Sequence, residues 1–98
     1  DEPLVKIAHQ ICRWHHERYD GKGYPSGLKA EEIPVGARII AICDSIDAMT
    51  STRHYRNAMT LSQCYVEIER NLGKMYDPII GMYVLKHWEE ITRHIAEQ

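Results

Sequence analysis

Two adjacent histidines, His15 and His16, and two carboxylates at i and i+3, Asp44 and Asp47, have the types and spacing that suit metal chemistry. Imidazole and carboxylate donors together can hold a metal ion. Helical periodicity puts His15 on one stripe with Leu4, Ala8 and Ile11, and His16 on its flank. Asp44 falls within a second stripe of Ala37, Ile40, Ala41 and Ala48, with Asp47 on the same side. An unpaired buried carboxylate is costly, so Asp44 needs a partner. A metal would serve, and so would backbone N–H groups, Arg38 or Arg53. His15 could equally be a satisfied core histidine. Only proximity in space decides among these. His9, His87 and His94 show no such convergence, and the last two read as partly exposed helix residues.

Between the two stripes lies Asp20-Gly21-Lys22-Gly23-Tyr24-Pro25. Alternating glycines permit positive φ and let backbone N–H groups approach a ligand closely. Lys22 adds a cation, and Tyr24 adds an aromatic face with a hydroxyl. A tight turn accounts for the glycines alone, whereas the set together suits a ligand with phosphate and base. Further on, Arg53 and Arg56 stand at i and i+3. Guanidinium forks match phosphate oxygens, although surface ion pairing is the plainer use of either residue.

These groups need an all-α frame of about four helices. The first is expected from about Pro3 to Tyr19, with Pro3 in the first turn where its missing N–H costs nothing. Asp20 to Val35 carries too many Gly and Pro breakers for regular structure. A second helix is expected over about Val35 to Met49. A third opens on the capping box Thr60-Leu61-Ser62-Gln63, turns Leu61, Cys64, Ile68 and Leu72 inward, and stops at Gly73. Asp77-Pro78 then caps a last helix burying Ile80, Val84, Trp88, Ile91 and Ile95.

The chain has 98 residues, 44% hydrophobic and 27% charged, and a net charge of −2. One modest domain is the most such a length supports. Disorder and low complexity are excluded by the composition. The longest apolar runs are too short to span a bilayer, and the acidic start has no signal-peptide character. No global basic field exists to hold long nucleic acid, although a small anionic ligand needs only a local cation cluster. Cys12, Cys43 and Cys64 form neither a disulfide framework nor a zinc motif, and read as small buried thiols in a reducing cytoplasm.

The segment His15-His16-Glu17-Arg18-Tyr19-Asp20-Gly21-Lys22-Gly23-Tyr24-Pro25-Ser26-Gly27-Leu28 resembles the signature of the HD-GYP family, bacterial phosphodiesterases of cyclic di-GMP. Ile33-Pro34, Ala37 to Ile40, Asp44 to Ser51, Arg53-His54-Tyr55-Arg56, Gly73 and Tyr76-Asp77-Pro78 extend the likeness in order, so that it spans roughly Ile11 to Tyr83. The resemblance implies that His15, His16 and Asp44 are metal ligands in a site of two or three iron- or manganese-type ions. It implies that Lys22, Tyr24, Arg53 and Arg56 contact the substrate. Glu17, Asp20 and Asp47 would stand behind the ligands, fixing the loop or orienting imidazoles.

Three departures qualify the likeness. His54 replaces a usual proline, Ala30 an often-seen glycine, and no His-Asp dipeptide occurs anywhere in the chain. Residues 1–98 therefore read as the C-terminal half of such a domain, without the helices that carry the HD pair. The expected role is that of a cytoplasmic phosphodiesterase part acting on a cyclic dinucleotide, inactive by itself. The parent would carry an upstream sensory or receiver domain. Association through helical faces around Ile11, Ile40 and Ala41 is expected. The competing readings are a non-catalytic module binding the nucleotide or a partner protein, and a purely structural role.

Overall fold

The structure is a computed structural model and describes residues 2–51 and 58–96. Five α-helices and one 3₁₀ turn make up its regular structure: α1 (Pro3–Trp14), the 3₁₀ turn Ala30–Glu32, α2 (Val35–Thr50), α3 (Leu61–Arg70), α4 (Pro78–Lys86) and α5 (Trp88–Ala96). Among the described residues there is no strand, only an isolated bridge between Leu72 and Tyr76. The all-α expectation therefore holds.

α2 is the central element and packs against α1, α3 and α4, while α4 also meets α3 and α5. Its core face is Ala37, Ile42 and Ile46. With Cys64 and Ile68 of α3, Tyr76, and Val84 and Leu85 of α4, the two isoleucines form the main hydrophobic cluster. α3 starts as its capping box requires: Gln63 N–H donates to Thr60 Oγ1 at 3.1 Å, and Thr60 N–H donates to Gln63 Oε1 at 3.0 Å. Asp77 caps α4 by accepting from Ile79 and Ile80 N–H at 2.9 and 3.0 Å.

Several local expectations change. α1 ends at Trp14, with His15 as its cap residue, so the two histidines follow the helix and do not ride on it. The chain turns there so that the Glu17 carboxylate reaches Ser26 and Leu28. Asp44 is exposed, because the buried face of α2 is set by Ile42 and Ile46 and leaves Asp44 on its flank. The desolvation argument for a compensating partner therefore does not apply to it. Arg38 is likewise taken, bonded to Asp77 at 2.7 Å. α3 stops at Arg70, and Gly73 (φ +80°) belongs to the turn beyond it. The last expected helix is two helices, interrupted at His87 (φ −109°, ψ 29°). Of the cysteines only Cys64 is buried, and its thiol is pushed up to about 11 by burial and then by Glu67; Cys12 and Cys43 are exposed.

Candidate functional site

Glu17 organises the loop that follows α1. It is 4% exposed, and its two carboxylate oxygens accept from Ser26 N–H and Leu28 N–H, each at 2.6 Å. A carboxylate accepting two amides is well satisfied without a cation. Gly23 completes the fold-back. A Cβ there would lie 2.6 Å from the His16 carbonyl oxygen and would also strike the Arg18 backbone nitrogen, so only glycine fits. Gly21 and Gly27 supply positive φ, at +84° and +69°. Asp20 does not line the cavity that the histidines line. It takes a two-pronged bond from Arg18, Nε at 3.2 Å and Nη2 at 2.8 Å, and accepts from Lys22 N–H at 3.0 Å. The Arg18 guanidinium holds its carboxyl below the usual value, ahead of the small opposing effect of burial.

The turn after α3 anchors this loop from the other side. Tyr19 N–H donates to the Met75 carbonyl at 3.2 Å, and Asp20 N–H donates to the Lys74 carbonyl at 2.8 Å. Tyr76 is buried between α2 and this turn. Burial raises its phenol, offset in part by a hydrogen bond with Ser45.

A cavity of about 280 Å³ lies between the loop, α2 and that turn, and His15, His16, Lys22, Tyr24 and Asp44 all line it. His15 Nδ1 lies 2.9 Å from the Ile11 carbonyl oxygen. A carbonyl only accepts, so Nδ1 is the donor in this contact. The His15 and His16 ring centroids are 4.0 Å apart, and His16 stacks on Tyr24 at 5.0 Å with 12° between planes. Asp44 makes no ion pair among the described residues.

Asp47 is exposed and does not line the cavity. Arg53 and Arg56 lie outside the described residues. Sequence reasoning missed Arg18, Ser45, Met75 and Tyr76 as lining residues. The signal for the last two was the turn motif ending in Tyr76-Asp77-Pro78, read as a helix boundary.

The donor chemistry, two imidazoles and one carboxylate facing one cavity, fits a first-row divalent ion. The number does not: among the described residues no three His, Cys, Asp or Glu side chains gather closely enough to hold one.

Comparison with known proteins gives this geometry a family. A family model described as HD domain matches residues 2–80. The chain belongs to the HD domain family. This HD domain chain is 45% identical over 92 residues to a cyclic di-GMP phosphodiesterase of Thermotoga maritima, covering 94% of this chain and 25% of that protein. It is 48% identical over 92 residues to 3'3'-cGAMP-specific phosphodiesterase 1 of Vibrio cholerae, covering 89% and 21%. It is 42% identical over 75 residues to the cyclic di-GMP phosphodiesterase response regulator RpfG of Xanthomonas campestris, covering 76% and 20%. The chain thus spans a quarter or less of the length of these relatives. Among its described residues, no helix is long and apolar enough to cross a membrane.

Proposed function

We propose that this chain is the loop-bearing, C-terminal half of an HD-GYP phosphodiesterase domain that hydrolyses a cyclic dinucleotide, cyclic di-GMP above all. The observation that carries the reading is the single cavity onto which His15, His16, Asp44, Lys22 and Tyr24 open from the end of α1, the glycine loop and α2. HD family membership and the relatives' phosphodiesterase names support it.

In this reading His15 and His16 hold divalent metal through imidazole nitrogens, with Asp44 as a carboxylate ligand from α2, in a site of two or three iron or manganese ions. Bound divalent ions would lower the pKa of water and neutralise charge on the phosphodiester. The chain's own share is positional. The Ile11 carbonyl orients the His15 ring, Tyr24 fixes the His16 ring plane, and Glu17 clamps the loop between them. Lys22 supplies a cation for phosphate at the cavity mouth, and Arg53 and Arg56 supply guanidinium forks. Asp47 would act only from behind the ligands. The upstream sensory or receiver domain and the cytoplasmic setting belong to the same reading.

Three donors cannot fill the coordination of two ions, which want about four to six each. The 98-residue chain alone should therefore hydrolyse cyclic di-GMP negligibly. Joined to an HD-bearing segment it should turn over, and Asp44→Ala should then lower metal content and turnover together. Arg53→Ala should weaken substrate use with metal content unchanged. Full metal and activity in Asp44→Ala, measured by elemental analysis beside kinetics, would overturn the assignment. One observation favours a second reading, a nucleotide-binding module without turnover: among the described residues no three His, Cys, Asp or Glu side chains gather closely enough to hold an ion. Tight nucleotide binding without hydrolysis in the joined protein would select it.

A further inference from the structure

The chain has four methionines, and three of them, Met49, Met59 and Met75, line one cavity of about 420 Å³ between α2 and α3. They reach it from separate stretches: Met49 near the end of α2, Met59 just before α3, and Met75 in the turn after it. Met59 N–H donates to the Met49 carbonyl at 2.8 Å, which holds these two together across the seam. All three are half-buried. The fourth, Met82 on α4, is 63% exposed and does not line the cavity.

A hydroperoxide oxidises a thioether in one two-electron step. The O–O bond breaks, one oxygen passes to sulfur as a new S–O bond, and the hydroperoxide leaves reduced to water or an alcohol. The product, methionine sulfoxide, is polar, and methionine sulfoxide reductases return it to the thioether. At Met82 the new oxygen would sit in water. In the cavity it needs a hydrogen-bond donor. Among the described lining residues, only Ser45, Asn71 and Tyr76 carry side-chain donors of N–H or O–H type. Asn71 Nδ2 is committed to Glu67, donating to its carbonyl at 2.9 Å and to Oε1 at 3.1 Å. The Ser45 and Tyr76 hydroxyls are bonded to each other. A sulfoxide must therefore break into that pair, stay unpaired or leave the cavity. Each outcome loosens the packing of α2 on the turn after α3.

Met75 carries the effect further. It also lines the cavity of His15 and His16. Its carbonyl accepts from Tyr19 N–H at 3.2 Å, and the preceding carbonyl, of Lys74, accepts from Asp20 N–H at 2.8 Å. Displacing Met75 displaces the anchor of the glycine loop. We propose that Met49, Met59 and Met75 form a site of reversible oxidation by hydroperoxides, which releases the glycine loop from the turn after α3. The site does not depend on which substrate the histidine cavity takes.

The test treats this chain with hydrogen peroxide, locates sulfoxides by peptide mass spectrometry and follows amide hydrogen exchange at Tyr19 and Asp20. Met82→Leu is the background, because it removes the exposed thioether. In it at least one cluster methionine should gain an oxygen, and exchange at both amides should quicken by about tenfold, the scale of one lost hydrogen bond. Methionine sulfoxide reductases should reverse the change. Adding Met49→Leu, Met59→Leu and Met75→Leu, swaps that nearly conserve volume, should leave exchange unmoved by peroxide. That variant keeps all three cysteines, so it separates thioether from thiol oxidation. If circular dichroism shows it unfolded, Met75→Leu alone should remove most of the acceleration. Cluster methionines that stay reduced while Met82 of the wild type is oxidised overturn the proposal. So does their oxidation with exchange unchanged, and so does equal acceleration in the folded leucine variant.

Discussion

Glu17 meets two amides with two oxygens, and that symmetry makes it hard to replace. Gln would keep one acceptor and turn an NH₂ group toward the second N–H, leaving a buried donor unpaired. Glu17→Gln should therefore cost about 1–3 kcal/mol, read as a lower urea midpoint, and the His16–Tyr24 contact should loosen with the loop. Ala30 makes the opposite case. Its φ is +53°, in the left-handed region, while its N–H donates to the Tyr19 carbonyl at 2.9 Å. Alanine pays roughly 1–2 kcal/mol for that conformation, and glycine avoids it at an entropic cost of about 0.5–1 kcal/mol. Ala30→Gly should raise stability by about 0.5–1 kcal/mol, a few degrees in Tm for a chain of this size. An unchanged or lower Tm would mean the loop relaxes around alanine. The glycine that the HD-GYP pattern often has at this position thus has a backbone reason.

At the scale of elements, Asp77 joins three parts of the fold. It caps α4 and binds Arg38 of α2, which also donates from Nε to the Ile33 carbonyl at 2.8 Å. Burial alone would raise its carboxyl, but the Ile80 and Ile79 amides and Arg38 outweigh that and hold it below the usual value. A carboxyl depressed in the folded state stabilises fully above its unfolded pKa of about 3.9 and loses that contribution as pH falls through the lower folded value. Thermal stability should therefore drop on acidification below about pH 4. Asp77→Ala should remove most of that acid-side slope, at a cost of about 2–4 kcal/mol for the cap and the stranded Arg38. A slope unchanged in the variant would shift the cause to other carboxylates. Asp77 was readable as a cap because Asp-Pro before an apolar run is a local signal. The capping box of Thr60 and Gln63 was readable for the same reason. What local pattern could not supply was the place where α1 stops, since the Glu17 bonds that end it span 9 and 11 residues. The true face of α2 was hidden too. Its alanines and isoleucines satisfy two overlapping stripes, and only packing against α3 and α4 chooses the one with Ile42 and Ile46. The cavity residues split the same way: the loop and the histidines stood out by type, while Ser45 on α2 and Met75 in the turn after α3 are ordinary residues brought in by packing.

Across the whole molecule, apolar surface is distributed unevenly. α1 has no buried residue. Leu4 and Val5 are 70% and 64% exposed, Ile7 is exposed on the same helix, and Val35 and Ile39 are exposed on α2. Ile11, Ile40 and Ala41, expected to be uncovered, are half-buried instead, because α1 lies directly on α2. A Cβ on Gly36 would come 3.2 Å from the Ile11 side chain. The surface left to associate is therefore the outer side of α1 and the start of α2. Apolar patches beyond a few hundred Å² drive association, and a symmetric pair of such helices buries the same residues on both partners. Light scattering at micromolar concentration should give the mass of a dimer or larger. Leu4→Lys with Ile7→Lys should return a monomer without loss of helicity, because neither side chain is buried within one chain. A monomer in the wild type would remove the association. A dimer that survives both lysines would move the interface to another face, such as Ile79, Met82 and Tyr83 on α4, which are also exposed.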